Sequence, residues 1–202
     1  MPLSSPTLTK FTTASPLLAS FSYNDIITNQ GVISFDLYLD HDGTDIGYKM
    51  SPAATTSNVE YINYAGASSG GTYDFYSTEF GKGVVINGTA SLSIAASGQH
   101  DSSTGTTYFT GTFYKYDGTT STSIGTFTSE TKTFTTSSTS VVYVMPIELT
   151  RTNFNIGDSI RLNLVVHKST PSFSFSIYPD PLKRASGNDY KMTLEVPTEI
   201  QL

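Results

Sequence analysis

From Asp158 to Lys168 the chain alternates strictly, with Ile160, Leu162, Leu164 and Val166 on one parity and Ser159, Arg161, Asn163, Val165 and His167 on the other. Phe173, Phe175 and Ile177 repeat the pattern against Ser172, Ser174 and Ser176, and Met192, Leu194 and Val196 repeat it against Lys191, Thr193 and Glu195. Successive side chains of a strand point to opposite faces, so a period of two writes one dry face and one wet face. A helix would scatter these apolar residues around its whole circumference. The pattern therefore commits this stretch to sheet packed on one side.

Further strand-like runs precede it at short intervals: 17–23, 31–39, 45–50, 59–64, 72–80, 83–95, 106–116, 122–128, 132–136 and 140–149. Between them stand Gly with Asn, Asp or Ser, as in Asn29-Gln30-Gly31, Asp42-Gly43, Ser69-Gly70-Gly71 and Ile156-Gly157-Asp158. These residues accept the backbone angles of tight turns. Asp117-Gly118 is the strongest hairpin signal, joining 108–116 to 122–127. Asn87-Gly88 instead interrupts a clean run of Val84, Ile86, Ala90, Leu92 and Ile94, and Gly88 is read as a bulge or a small core-facing residue. Helical spacing is absent apart from one short turn expected over 181–185. Ten to thirteen short strands without crossover helices predict an all-β antiparallel β-sandwich, jelly-roll-like rather than immunoglobulin-like, because the chain has neither Cys nor Trp. The Ser/Thr/Pro-rich residues 1–16 are expected to form an extended arm, and residues 17–202 a single sandwich domain.

Charged residues make up only 14% of the 202-residue chain, and the net charge is -6. Eleven basic residues in an acidic chain argue against nucleic acid, whose affinity rests on Lys and Arg neutralising phosphate. No apolar run approaches the length of a membrane helix, so no membrane partner is expected. The start, Met1-Pro-Leu-Ser-Ser-Pro, shows no basic segment followed by an apolar one, which leads us to expect synthesis in a cytoplasm without secretory export.

Four groups of residues are candidates for chemistry. Asp40, Asp42 and Asp45 surround Gly43, and such closely spaced oxygens can hold Ca²⁺; the order departs from an EF-hand loop, and the plainer reading is an Asp-rich turn. His41, His100 and His167 stand without a metal or nucleophile motif and read as surface residues. Asp36, Glu60, Asp74 and Glu79 lie in or near strands, where a shared cleft would be needed for glycoside chemistry. The 13 Tyr are the most suggestive. Tyr61, Tyr64, Tyr73 and Tyr76 cluster with Asn58 and Asn63, while Tyr108, Tyr114 and Tyr116 share a parity with Thr110 and Thr112. Tyr joins contact area to a polar tip, which serves cross-strand packing, protein interfaces and sugar stacking alike. These seven are the interface candidates. No catalytic residue and no cofactor is expected.

Phe154-Asn-Ile-Gly-Asp-Ser-Ile-Arg-Leu162, the strand leading into Tyr178-Pro-Asp-Pro181, and Lys191 to Pro197 resemble segments of virion structural proteins of tailed phages and related environmental viruses. Tyr48-Lys-Met-Ser-Pro52 and Gly83-Val-Val-Ile-Asn-Gly-Thr-Ala90 extend the resemblance, whereas Pro197-Thr-Glu199 departs from the Pro-Phe-Lys of that group. The resemblance implies a jelly-roll protein that decorates or cements the outer capsid surface without catalysis. Its expected partners are the major capsid protein and further copies of itself, a trimer among the orders. A glycan-binding adhesin or receptor-binding domain of a virion is the alternative, and a lyase or glycoside hydrolase stands third; a concave face of Tyr, Asp and Glu would favour that last reading.

Overall fold

The computed structural model describes residues 19–20, 30–41, 46–52, 61–64, 71–100, 104–170, 173–179 and 191–199. Thirteen strands run through them: β1 Ala19–Ser20, β2 Gln30–His41, β3 Ile46–Ser51, β4 Ile62–Tyr64, β5 Thr72–Ser77, β6 Val84–His100, β7 Gly105–Tyr116, β8 Ser121–Thr128, β9 Lys132–Phe134, β10 Thr139–Phe154, β11 Ser159–Lys168, β12 Phe173–Ile177 and β13 Thr193–Glu199. The described residues contain no helix. The arm expected over 1–16 and the helical turn expected over 181–185 lie outside them.

The strands lie in the order β4-β12-β6-β13-β2-β3-β5-β11-β7-β8, with β1 added to β2, β10 to β6 and β9 to β7. Every ladder is antiparallel except β3 with β5, which run parallel for the two rungs Lys49↔Tyr76 and Met50↔Ser77. The long strand β6 is paired on both flanks, by β10 on one side and by β12 and β13 on the other. The all-β architecture is consistent with the expected β-sandwich.

Alternation explains why these segments take these positions. The expected dry faces of β11, β12 and β13 are all inside, with Ile160, Leu162, Leu164, Val166, Phe173, Phe175, Ile177, Met192, Leu194 and Val196 fully buried. Each such side chain stabilises the fold by about 1.5–3 kcal/mol relative to exposure. Aromatic rings then tie the strands together across the core. Phe109 of β7 lies edge-on to Tyr143 of β10 at 4.7 Å and 6.0 Å from Phe175 of β12, and Phe134 of β9 lies 5.3 Å from Phe173. The wet faces hold less strictly. Ser159 is only 6% exposed, because the turn before it folds Asp158 inward against Lys115 and the Asn155 amide. Tyr143 is buried with its hydroxyl bonded to that of Thr107, and burial pushes the phenol up to about 12 despite that bond.

The two turn readings fare well. Asp117-Gly118 does join β7 to β8: Gly118 has φ of 90°, and Asp117 N–H bonds to Thr120 C=O at 3.2 Å. Gly88 marks a bulge, with φ of 112°; between Leu149↔Gly88 and Thr152↔Ile86, β10 sets two residues against one of β6. The Asp117 turn also carries a pH dependence. The amide of Thr120 and then the amide and hydroxyl of Thr119 donate to its carboxylate at 2.6, 3.0 and 2.9 Å, and hold its pKa below the usual Asp value. A lowered folded pKa contributes stability above the unfolded value, and loses it as pH falls through the folded one. Urea unfolding of Asp117→Ala beside the parent chain is therefore expected to show a deficit at neutral pH that shrinks below about pH 4.

Candidate functional site

The outer face of β5, β11, β7 and β8 gathers the polar residues that the fold does not bury. On β11, Arg161 pairs in register with Tyr76 on one side and Tyr114 on the other, Asn163 with Asp74 and Thr112, and His167 with Tyr108. Period two puts Arg161, Asn163 and His167 on one face, and two flanking ladders carry the same face onto the neighbouring strands. A patch three strands wide results.

Its centre is Asp74. One carboxylate oxygen, Oδ1, accepts from Arg161 Nε at 3.0 Å and Asn163 Nδ2 at 2.9 Å, and lies 3.0 Å from Arg161 Nη2. Among the described residues no donor reaches Oδ2. Arg161 Nη1 donates to Ser121 Oγ at 2.8 Å, and the guanidinium lies 5.1 Å from the Tyr114 ring and 5.8 Å from that of Tyr76. Burial works against the Arg161 charge, but the hydrogen bond and charge of Asp74 outweigh it, and the pKa rises. With side chains 25% and 33% exposed, the pair is screened by water and contributes about 0–1 kcal/mol. Its main effect is orientation: it holds the guanidinium between two phenol rings. Burial, with Asp74 and Tyr116 adding to it and Arg161 opposing, raises the Tyr76 pKa, so that phenol is neutral and able to donate at pH 7.

Farther along the face His167 stacks on Tyr108, ring centroids 4.3 Å apart and planes within 6°, and its Nε2 lies 2.8 Å from Thr110 Oγ1. A hydroxyl bonded to an imidazole is the first half of a nucleophile–base arrangement; the second half is a group that orients the base through its other nitrogen. No described side chain fills that second position. The face as a whole is equipped to bind a hydrogen-bonding ligand.

The sequence candidates are distributed unevenly over this map. Tyr76, Tyr114 and Tyr116 come together around Arg161, with Tyr116 edge-on to Tyr76 at 5.5 Å, and Tyr108 lies on the same face. Tyr73 does not belong with them. It is 8% exposed, points into the core and packs edge-on to Tyr48, because it shares the parity of Phe75 rather than of Tyr76. Tyr61 and Tyr64 are elsewhere too: β4 pairs with β12 at the far end of the sheet order, and Tyr61 is exposed with its ring 6.2 Å from Tyr178. Asp40 sits in β2 opposite Gly47, and Asp42 and Asp45 fall outside the described residues; among those residues no group of three metal-binding side chains assembles. Of the carboxylates, Asp36 pairs with Lys191 at 2.7 Å while Asp74 pairs with Arg161, and Glu60 falls outside the described residues. Sequence reading missed Asp74 and Arg161 as partners. Equal parity within β5 and β11 placed both outside, but nothing in the sequence said that the two strands are neighbours.

No family model and no curated protein matches the chain. Among solved structures it is similar to a CocE/NonD family hydrolase from Staphylococcus aureus, at a TM-score of 0.53 and 13% identity, over 82% of this chain and 36% of that one. An aminopeptidase from a marine sediment Thaumarchaeota archaeon aligns at 0.48 and 8% identity, over 83% of this chain and 37% of that one. A structure of infectious bursal disease virus, Gx strain, aligns at only 0.26, with 15% identity over 91% and 53%. The chain thus spans little more than a third of the hydrolase it matches. The expectation of a non-catalytic capsid decoration protein, or of a virion adhesin, is corrected by this comparison: the architecture at a TM-score above one half is found in a hydrolase. What the likeness establishes is the fold, a β-sandwich of the kind found within a CocE/NonD hydrolase.

Proposed function

We propose that this chain is the β-sandwich part of a hydrolytic protein, and that the Asp74–Arg161 face holds the polar portion of the substrate. The likeness to the CocE/NonD hydrolase carries the reading, since 82% of this chain superposes on a part of that enzyme. The face supplies what such a role requires. Asp74 Oδ2 accepts from an amide or hydroxyl, the Tyr76 and Tyr114 phenols donate to an ester or amide carbonyl, and the Arg161 pair fixes their spacing in advance.

With no Trp in the chain, tyrosine emission includes a signal from Tyr76, Tyr108, Tyr114 and Tyr116 on this face. Titration with a panel of small carboxylic esters and amides, with turnover followed by pH-stat, is expected to give a saturable change in emission. Arg161→Ala, verified as folded by circular dichroism, is expected to weaken it about ten- to hundredfold, since a lost hydrogen bond to a charged group costs about 1.5–3 kcal/mol. Neither saturation nor turnover with any compound up to about 10 mM, a concentration matching a binding free energy near -2.7 kcal/mol, overturns the proposal.

A further inference from the structure

The turn from β10 into β11 carries the most exposed of the described large apolar side chains, Ile156, at 75%. A single apolar residue at a surface is ordinary, but this one stands on a turn that is fixed. Gly157 takes φ of 90°, its amide donates to Phe80 C=O at 3.0 Å, the Phe80 amide donates to Asp158 C=O at 2.8 Å, and the Asp158 amide donates to Asn155 C=O at 3.1 Å. The Asp158 carboxylate accepts from the Asn155 amide at 2.5 Å and lies 2.9 Å from Lys115 Nζ. A Cβ at Gly81 or at Gly157 would meet nothing within 4 Å, so the backbone next to Ile156 is bare and open to close approach. Two residues before Phe80, Thr78 begins one wall of a cavity of about 310 Å³ lined by Tyr38, Lys49, Met50, Tyr76, Ser77 and Thr78. Two phenol rings and a thioether make its walls mostly apolar, and the Ile160 amide holds Ser77 Oγ in place at 2.9 Å. The Phe80 bonds thus set knob and cavity side by side, yet Ile156 does not line the cavity beside it. The connecting loop exposes Glu79 and Lys82, and neither has an ion-pair partner among the described residues.

We propose that this end of the sheet is the interface of a two-fold dimer, in which Ile156 of each copy enters the cavity of the other. A knob and a hole that adjoin on one surface suit such a contact, because a two-fold axis brings the same patch against itself and makes every contact twice. Size fits: a void of about 150 Å³ already accepts benzene, so the smaller isoleucine side chain enters with space for the backbone that carries it. Charge fits as well. Across the axis Glu79 of one copy comes against Lys82 of the other, and the reverse, so the acid and the base that this loop leaves unmatched are satisfied together. Knob and walls are both formed beforehand, which spares the cost of ordering them. The patch is small beside a standard interface, so the dimer is a weak one, with a dissociation constant of about 0.1 mM. The inference goes beyond hydrolysis and requires no turnover.

Sedimentation velocity of the full chain from about 10 µM to about 1 mM, roughly tenfold above the expected dissociation constant, tests it. A monomer that gives way to a dimer over this range is expected. Ile156→Asp, at an exposed position, and Thr78→Trp, which places an indole in the cavity, are each expected to weaken the dimer about tenfold or more. Circular dichroism verifies that each is folded; if Thr78→Trp is not, Ile156→Asp decides. Glu79→Lys and Lys82→Glu each give the loop two like charges, so either variant alone is expected to stay monomeric, while their equimolar mixture is expected to dimerise at least as tightly as the parent chain. A parent chain that is monomeric throughout, species larger than a dimer, a dimer indifferent to Ile156→Asp, or a mixture no more associated than its components overturns the proposal.

Discussion

Phe175→Ala is expected to destabilise the chain by about 3–5 kcal/mol, which for a domain of this length lowers Tm by about 10 °C. The ring is fully buried on β12 and stands within 6.0 Å of Phe109 and 5.9 Å of both Phe134 and Phe173. These neighbours come from β7, β9 and β12, so the void left by truncation opens where three strands converge and none can relax into it without losing its other contacts. Total stability of a domain is about 5–15 kcal/mol, which makes this one side chain a large share of it. Phe175→Leu, which refills most of the volume, is expected to recover the greater part. Urea unfolding of the three chains measures both effects, and a loss below about 1 kcal/mol for the alanine variant contradicts a core organised around this ring.

Gly111→Ala is expected to cost about 3 kcal/mol by the opposite route, overpacking. A Cβ at this position would stand 2.2 Å from Asn163 C=O and 2.5 Å from Phe127 Cζ. A flexible side-chain tip can retreat from such a contact, but the Asn163 oxygen is backbone in the β7–β11 ladder and moves only if the ladder moves. Gly81→Ala is the matched control. The space around Gly81 is empty within 4 Å, so the same added methyl is expected to be neutral or stabilising by a few tenths of a kcal/mol. The shift has a second readout. Asn163 donates to Asp74, so displacement of β11 is expected to weaken ligand binding on that face in whatever fraction of Gly111→Ala remains folded.

These two residues also show what is legible in the sequence. Phe175 is predicted to be inside by parity alone, as are Ile160, Leu162, Leu164 and Val166 of β11 and Leu194 and Val196 of β13, and the Asp117-Gly118 hairpin follows from turn chemistry. Gly111 is different. Its necessity arises from Phe127 and from β11, and alternation assigns a residue to a face without saying which strand lies beside it. The same limit hid the candidate site: Asp74 and Arg161 are 87 residues apart, and only the β5–β11 ladder joins them. Tyr73 was a readable error, since its parity with Phe75 already placed it inside, and grouping it with Tyr76 by nearness in sequence overrode that signal. The functional misreading had another source. A polar sheet face without a nucleophile motif looks alike on a capsid protein and on part of a hydrolase, and short sequence resemblances do not separate the two.

The position of β13 decides how late this fold becomes complete. It lies between β2 and β6, with Leu194 opposite both Phe35 and Leu92, although it follows every other described strand in the chain. Until it arrives, β2 and β6 each present an open row of amides and carbonyls, while most of the remaining sheet is already available to assemble. A growing or refolding chain must therefore pass through a state with two sticky edges facing one gap. Whatever fills that gap first, β13 or the edge of another molecule, determines whether the sheet completes itself or aggregates.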